Sequence, residues 1–223
     1  MDQERHQDTR QRLLEAAIEV FAEKGFEAAT VREICRRADA NVAAVNYHFG
    51  DKQRLYATIF DTVFRTLREQ RPPFLPRTAP PEARLEAYVR SFFHELFSCQ
   101  MQGPQCIQLG AIYLMEIARP TEVLDQVVSG FLAEDVAELE HIVATLLGPA
   151  AAPMTVLNCT GSIAGQVLHY YHAQPLIQRL LPELPPPAQR LEELVQHVLH
   201  FSLGGIARLR ENPLIPTDGD PMP

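Results

Sequence analysis

Apolar residues recur at helical spacing along almost the whole chain. Near the N-terminus one apolar face consists of Leu13, Leu14, Ala17, Ile18 and Phe21. Gly25 follows this face, at a position where a helix can end. No segment shows the strict alternation of apolar and polar residues that is typical of a strand. The pattern therefore predicts an all-α protein.

Two short helices and a longer third one are predicted next, each with a polar residue that can cap its N-terminus. Thr30 and Glu33 form a capping box, in which the threonine hydroxyl accepts from a free amide and the glutamate reaches back. Asn41 can cap the next helix, and Asp51 can cap the one after it. The residues predicted to face inward are Val31, Ile34, Cys35 and Ala38, then Val45 and Phe49, then Leu55, Ile59 and Val63.

Segment 71–81 holds five prolines, so no helix can cross it, and it is a linker or an ordered turn. The longer helices predicted beyond it lie at about 82–101, 105–118, 121–147, 154–172 and 188–210. The domains predicted from this division are a small N-terminal domain over 1–50, a connecting helix over 51–71, a larger helical domain over 72–212 and a flexible tail over 213–223.

The formal net charge of −8 argues at first sight against a nucleic-acid partner. The charge is unevenly distributed, because residues 1–70 hold 11 basic and 12 acidic residues whereas residues 71–223 hold 9 and 16. Residues 30–56 hold five basic and three acidic residues, so the short helices are locally positive. Local charge is what meets a phosphate backbone, and the composition therefore permits DNA binding by the N-terminal part.

The stretch between Glu140 and Arg179 contains no charged residue and is long enough to suggest a membrane span. Gly148, Pro149 and Pro153 interrupt it, so we expect helices buried against protein and no membrane partner. The N-terminus is polar, unlike a secretory signal. We therefore expect a cytoplasmic protein whose four scattered cysteines, Cys35, Cys99, Cys106 and Cys159, are free thiols.

Two short capped helices separated by the turn 38–41 have helix-turn-helix spacing, in which the second helix lies in the major groove of DNA. That groove is about 12 Å wide and admits one helix with small or polar exposed residues. The predicted outward face carries no acid and consists of Val42, Ala43, Ala44, Asn46, Tyr47 and His48. The predicted phosphate contacts are Thr30, Tyr47, His48 and Lys52, with added charge from Arg32, Arg36 and Arg37. The alternative is a plain three-helix unit in which Tyr47 and His48 only pack.

The segment AAIEVFAEKGFEAATVREICRRADANVAAVNYHFGDKQRLY closely resembles the N-terminal DNA-binding domain of the tetracycline-repressor (TetR) family of transcriptional regulators. The specific parts are F-x-x-x-G-F, T-V-x-x-I and Y-H-F-x-x-K, and the form NVAAVNYHFGDK resembles the subgroup with a CecR-type C-terminal domain. The resemblance implies phosphate contacts from Thr30, Tyr47, His48 and Lys52, and base contacts from Val42, Ala43, Ala44 and Asn46. Two positions depart from the family pattern, Asp39 where glycine is usual and Asn41 where serine or threonine is frequent, and the operator sequence stays open.

The same resemblance implies that the C-terminal domain binds an effector and dimerises through its last two long helices. Residues that could line the effector pocket are Phe92, Phe93, Tyr113, Met115, Arg119, Tyr170 and Tyr171, although such residues more often form core. Arg119 could hold an anion or pair with Glu116. Gly161 and Gly165 are small, so another helix can pack closely against them, either from a second subunit or from the same chain. The predicted dimer interface consists of Gly161, Gly165, Leu191, Leu194, Val195 and Val198.

Two histidine pairs, His169 with His172 and His197 with His200, each share a helical face but lack a third ligand at matching spacing. No nucleophile elbow, phosphate loop or dinucleotide fingerprint occurs, so neither an enzyme nor a cofactor is predicted.

The function predicted is that of a ligand-responsive repressor, a homodimer that binds a palindromic operator in double-stranded DNA and leaves it when a small-molecule effector binds. One alternative is a helical small-molecule-binding protein or enzyme with a non-functional N-terminal unit. Another is a helical adaptor that binds proteins.

Overall fold

The computed structural model describes residues 2–98 and 104–212. It is 82% helical, and the described residues contain no strand, which confirms the all-α prediction. The helices are α1 Asp2–Ala28, α2 Val31–Arg37, α3 Val42–His48, α4 Lys52–Gln70, α5 Pro81–Ser98, α6 Pro104–Ala118, α7 Glu122–Val127, α8 Ala133–Leu147, α9 Pro153–His172, α10 Gln174–Leu180 and α11 Leu191–Glu211. A π-helical turn, Val128–Leu132, joins α7 to α8, and a 3₁₀ turn, Pro187–Gln189, precedes α11.

The chain forms two compact units, the first from residues 1–70 and 99–133. In this unit α1 packs against α2, α3, α4 and α6, and α4 also packs against α7. Its core includes Phe21, Ile34, Val45, Tyr56 and Ile112, each with at most 2% of its surface exposed. The predicted inward faces of the short helices are therefore core, and only Val31 and Val63 are partly buried at its edge.

The second unit consists of residues 71–98 and 134–223, of which the described part ends at residue 212. Here α5, α9 and α11 pack against one another. Leu85, Phe93, Val143, Val167 and Val198 lie at the centre of the core and are fully buried. The predicted tail 213–223 lies outside the described residues.

Backbone conformation confirms two of the predicted breaks. Gly25 has φ 73° and ψ 174°, so the regular helix stops there although helical turns continue to Ala28. Asp39 has φ 48°, a left-handed conformation that aspartate tolerates better than most residues. The helix predicted over 121–147 is wrong as one regular element, because the π-helical turn divides it. Helix α10 was not predicted, because a proline such as Pro175 usually interrupts a helix. Here Pro175 lies at the start of the helix, where its missing N–H costs no hydrogen bond.

The proline-rich segment after α4 is an ordered turn on the second unit. The Arg71 guanidinium donates to the Asp135 carboxylate, with one Nη–Oδ distance of 2.9 Å, and to Glu95 at 3.2 Å. Ser91 donates to the Pro72 carbonyl at 2.9 Å, and the Phe74 ring stacks on Tyr88 with centroids 5.1 Å apart.

Cys35 and Cys159 are free and buried, and burial raises the pKa of both thiols. Cys99 lies outside the described residues, and the side chain of Cys106 is likewise not described. Within the described part of the chain, no helix is long and apolar enough to cross a membrane.

Candidate nucleic-acid interface

Helix α2 begins with half of the predicted capping box. The Thr30 hydroxyl accepts from the Glu33 amide at 3.3 Å, as predicted. The prediction that Glu33 reaches back was wrong, because its carboxylate instead accepts from Lys24 Nζ at 2.6 and 2.8 Å. This bond lowers the pKa of Glu33, and so does the nearby Arg37. A cation from α1 thus takes the place of the backbone amide.

The turn between α2 and α3 is held by three local hydrogen bonds. The Ala40 amide donates to the Cys35 carbonyl at 2.9 Å, which closes the left-handed turn at Asp39. The Asn41 side-chain oxygen accepts from the Ala43 amide at 2.9 Å and caps α3, as predicted. Cys35 Sγ donates to the Asn41 carbonyl at 3.6 Å. These contacts fix the direction of α3 relative to α2.

Helix α3 presents the predicted face to solvent. Val45 and Phe49 are buried beneath it, with 0% and 7% of their surface exposed. Val42, Ala43, Asn46 and Tyr47 are exposed, whereas Ala44 and His48 are half-buried. The face carries no acid, and its large ring, Tyr47, is 74% exposed.

Lys52 opens α4 and is already engaged within the first unit. Its ammonium donates to the carbonyls of Phe26, at 2.8 Å, and Ala29, at 3.1 Å. It also lies 4.3 Å from the centre of the Phe26 ring. An ammonium has three donors, so these two bonds leave one for a further partner.

The arginines of α2 differ in what surrounds them. Arg32 and Arg36 are exposed, as a phosphate contact requires. Arg37, predicted to add positive charge to the face, is instead bound by the Glu23 and Glu33 carboxylates. The hydrogen bond from Arg37 lowers the pKa of Glu23. Its charge is neutralised locally, which spacing alone could not reveal because Glu23 comes from α1.

The predicted effector residues are divided between the two units. Tyr113, Met115 and Arg119 belong to the first unit, while Phe92, Phe93, Tyr170 and Tyr171 belong to the second. In the second unit Phe93 is fully buried, with its ring centroid 5.9 Å from that of Tyr170. The second unit has a cavity of about 330 Å³, and none of the seven predicted effector residues lines it. Its lining residues are Arg71, Phe74, Leu75, Pro76, Arg77, Glu134, Asp135 and Glu138.

The prediction that Glu116 pairs with Arg119 was wrong. Glu116 is 1% exposed, and its carboxylate accepts from the Tyr56 hydroxyl at 3.1 Å. It also accepts from the Thr121 amide at 2.8 Å and the Thr121 hydroxyl at 2.9 Å. Arg119 remains at the exposed end of α6.

The predicted dimer residues lie in two different environments. Leu194, Val195 and Val198 are at most 1% exposed and pack inside the core of the second unit, so they form no surface for a partner. Leu191 packs at the edge of this core. Gly161 and Gly165 are exposed on α9. Exposed apolar residues on these two helices that the sequence pattern did not indicate include Leu157 on α9 and Phe201 on α11, at 48% and 67% exposure.

The four histidines of the two pairs, His169, His172, His197 and His200, are exposed. Burial of part of the ring lowers the pKa of His172. Among the described residues, no group of three or more His, Cys, Asp or Glu side chains is placed to hold a metal ion.

Two capped helices joined by a left-handed turn, with an exposed acid-free face on the second, define a helix-turn-helix unit of the DNA-binding class. Residues 13–59 match the family model described as bacterial regulatory proteins, tetR family. Residues 81–206, more than half of the chain, match the C-terminal domain of the HTH-type transcriptional dual regulator CecR. The chain belongs to the TetR family of transcriptional regulators and has a CecR-type C-terminal domain.

Three individual relatives share between 23% and 28% sequence identity with this chain over the matched residues. The chain is 27% identical to the transcriptional repressor NicS of Pseudomonas putida over 36% of its own length and 38% of NicS. It is 28% identical to the regulator BetI of Rhizobium meliloti over 51% of its own length and 54% of BetI. The dual regulator CecR of Shigella flexneri is 23% identical over 74% of this chain and 76% of CecR. The matches thus span between about a third and three quarters of these relatives.

Solved structures confirm the fold. The regulator FadR from Bacillus subtilis, in complex with stearoyl-CoA, matches with TM-score 0.59 and 16% identity over 87% of this chain and 98% of FadR. A transcriptional regulator from Rhodococcus sp. Rha1 matches with TM-score 0.56 and 22% identity over 93% of this chain and 99% of that one.

Proposed function

We propose that this chain is a repressor that binds a palindromic operator as a homodimer, with α3 of each protomer in successive major grooves. The observation that carries the proposal is the rigid, acid-free face of α3, held by Asn41 and the left-handed Asp39. Its two alanines permit close approach to base edges, and Asn46 can pair with an adenine edge. Such a regulator acts in the cytoplasm, where the chromosome lies, and needs no catalysis of its own.

The proposed division of labour follows the chain. Residues 1–50 bind DNA, residues 51–71 connect, and residues 72–212 bind effector and dimerise. The relatives are named regulators and repressors, and FadR was solved with an acyl-CoA, which supports a small-molecule effector without naming it. Of the predicted pocket residues, Phe92, Phe93, Tyr170 and Tyr171 share the second unit, and these four are the candidates that we propose for the effector pocket.

Release from DNA requires only a small change in geometry. The two recognition helices of a dimer must stand about 34 Å apart, so an effector that favours another spacing weakens both sets of contacts together. A hundredfold loss of operator affinity corresponds to about 2.7 kcal/mol of coupling, which lies within the ordinary allosteric range.

The dimer interface that we propose uses the exposed face of α9 and α11. On α9, Gly161 and Gly165 allow close approach and Leu157 adds apolar surface. On α11, Gly204 allows close approach and Phe201 adds apolar surface. This face replaces Leu194, Val195 and Val198, which the core of the unit already covers.

The test is selection of bound duplexes from a random-sequence library by the full chain, followed by titration at several salt concentrations. We expect an inverted-repeat sequence and an affinity that falls steeply with salt. In the selected duplex, Asn46→Ala should change the preferred base at one position of each half-site, while Arg65→Ala on α4 should not. Recovery of no preferred sequence would overturn the proposal.

A further inference from the structure

Helix α1 brings an arginine to the C-terminal end of the recognition helix. The exposed guanidinium of Arg10 lies over the Phe49 ring, with Cζ 5.2 Å from the ring centroid. Phe49 directly follows α3, its amide donates to the carbonyls of Val45 and Asn46, and its side chain is 7% exposed. The ring on which Arg10 rests is therefore part of the core that fixes α3.

The Phe49 ring that Arg10 contacts is next to two side chains that the sequence pattern assigns to DNA. The ring of Phe49 lies 6.2 Å from that of His48, which lies 5.0 Å from that of Tyr47. Tyr47 and His48 are predicted phosphate contacts, and the contact with Phe49 brings Arg10, from another helix, to the same end of α3. Arg10 and Phe49 are 39 positions apart in the chain, so only the folded structure brings them together.

We infer that Arg10 contacts a phosphate of the DNA backbone beside the C-terminal end of α3. The inference rests on the proposed function, since it adds a residue to the same interface. The contact with the ring uses the charge of the guanidinium and leaves its N–H donors for another partner, and two of these donors match two phosphate oxygens at once. Contact with the ring also restricts the side chain before DNA arrives, which reduces the entropy lost on binding.

Two other arginines near this end of the first unit are held by carboxylates instead. Arg12, two residues further along α1, has its Nε 3.3 Å from the Asp8 carboxylate. Arg37 is held by Glu23 and Glu33. Side chains two positions apart on a helix point in different directions, so Arg12 is a matched control for Arg10.

The experiment uses the full chain and a 30-base-pair duplex that the wild-type protein has selected from random sequence. Arg10→Gln should bind about tenfold more weakly at 0.1 M salt, as expected for a charge-assisted hydrogen bond. The slope of log affinity against log salt should become shallower by about 0.9, the value for one phosphate contact. Arg10→Lys should retain the wild-type slope, and Arg12→Gln should retain both affinity and slope.

A second measurement locates the phosphate. Each phosphate near the recognition half-site is replaced in turn by an uncharged methylphosphonate. One replacement should weaken wild-type binding while leaving Arg10→Gln no weaker than before. The inference is overturned if Arg10→Gln matches wild type, if Arg12→Gln shows the same loss, or if no single replacement is masked by Arg10→Gln. If the wild-type chain selects no duplex, the proposed function fails first and the inference fails with it.

Discussion

Lys52 links the stability of the first unit to its proposed contact with DNA. Two of its three donors bind the carbonyls of Phe26 and Ala29, at the end of α1 and just after it, which leaves the third donor for the proposed phosphate contact. We expect Lys52→Ala to cost about 2 kcal/mol in free energy of unfolding, since charge-assisted bonds and a cation–π contact are lost together. It should also weaken binding to selected and random duplexes by the same factor and flatten the salt dependence.

Urea unfolding and duplex titration of the same protein separate these two effects. Lys24→Ala is the matched control, because Lys24 makes an exposed ion pair with Glu33 that is worth less than about 1 kcal/mol. The account of Lys52 is contradicted if Lys52→Ala and Lys24→Ala are equally stable. It is also contradicted if the salt dependence of duplex binding is the same for Lys52→Ala as for the wild type.

Tyr56 gives the first unit a pH dependence whose sign is fixed by burial. Burial raises the pKa of Tyr56 above its ordinary value of 10, and the charge of Glu116 adds to the effect. Above pH 10 the unfolded chain releases this proton but the folded chain keeps it, so stability falls as the pH rises. Tyr56→Phe should cost about 1–2 kcal/mol at neutral pH, because Glu116 loses a donor.

The difference in unfolding free energy between wild type and Tyr56→Phe should narrow above pH 10, as measured by urea titration at two pH values. Tyr88 also has a pKa raised by burial, in the second unit, so the variant keeps part of the alkaline loss. A difference that widens or stays constant would contradict the assignment.

At the scale of elements, the turn between α2 and α3 determines where the recognition face points. Asp39 adopts φ 48°, which costs most L residues about 1–2 kcal/mol. Asp39→Gly should therefore raise the free energy of unfolding by up to about 1 kcal/mol. Asp39→Ala should lower it by a similar amount, since alanine lacks a side chain that can support the turn locally. Thermal unfolding of the two variants checks the opposite signs, and a shift in the same direction would contradict them.

The sequence predicted α2, α3 and α4 well because their signals are local. Thr30, Asn41 and Asp51 cap helices through bonds to amides two or three residues away, as the structure confirms. The prediction that Glu33 reaches back failed because Lys24, nine residues earlier, competes for its carboxylate. Likewise, the π-helical turn Val128–Leu132 interrupts a segment that the apolar periodicity predicts as one helix, so periodicity could not identify it.

At the scale of the whole molecule, apolar periodicity identifies buried residues but not what covers them. Leu194 and Val198 on α11 were assigned to a subunit interface, yet they pack within the unit. The sequence pattern could not indicate the position of Arg10 beside α3, because its neighbour Phe49 is distant in sequence. Pairings between distant segments are what the one-dimensional pattern lacks.

Dimerisation is the whole-molecule prediction. The exposed residues Leu157 and Phe201 should be buried between protomers, in an interface that exceeds roughly 1,000 Å². We expect wild-type protein to sediment as a dimer at micromolar concentration and the double variant Leu157→Glu, Phe201→Glu to sediment as a monomer. Leu176→Glu on α10, also at an exposed leucine, is the control that should stay dimeric. A wild-type monomer, or a dimeric double variant, would contradict the interface.

The central claim is that the exposed face of α3 binds DNA, and one substitution addresses it directly. Ala43 is exposed near the start of α3, where a carboxylate suits the helix dipole, so Ala43→Glu should fold normally while repelling the phosphates. Ala118→Glu makes the same change at an exposed alanine of α6. Fluorescence anisotropy titration of the selected duplex should show at least about tenfold weaker binding for Ala43→Glu and wild-type binding for Ala118→Glu. Equal binding by Ala43→Glu and wild type would contradict the account.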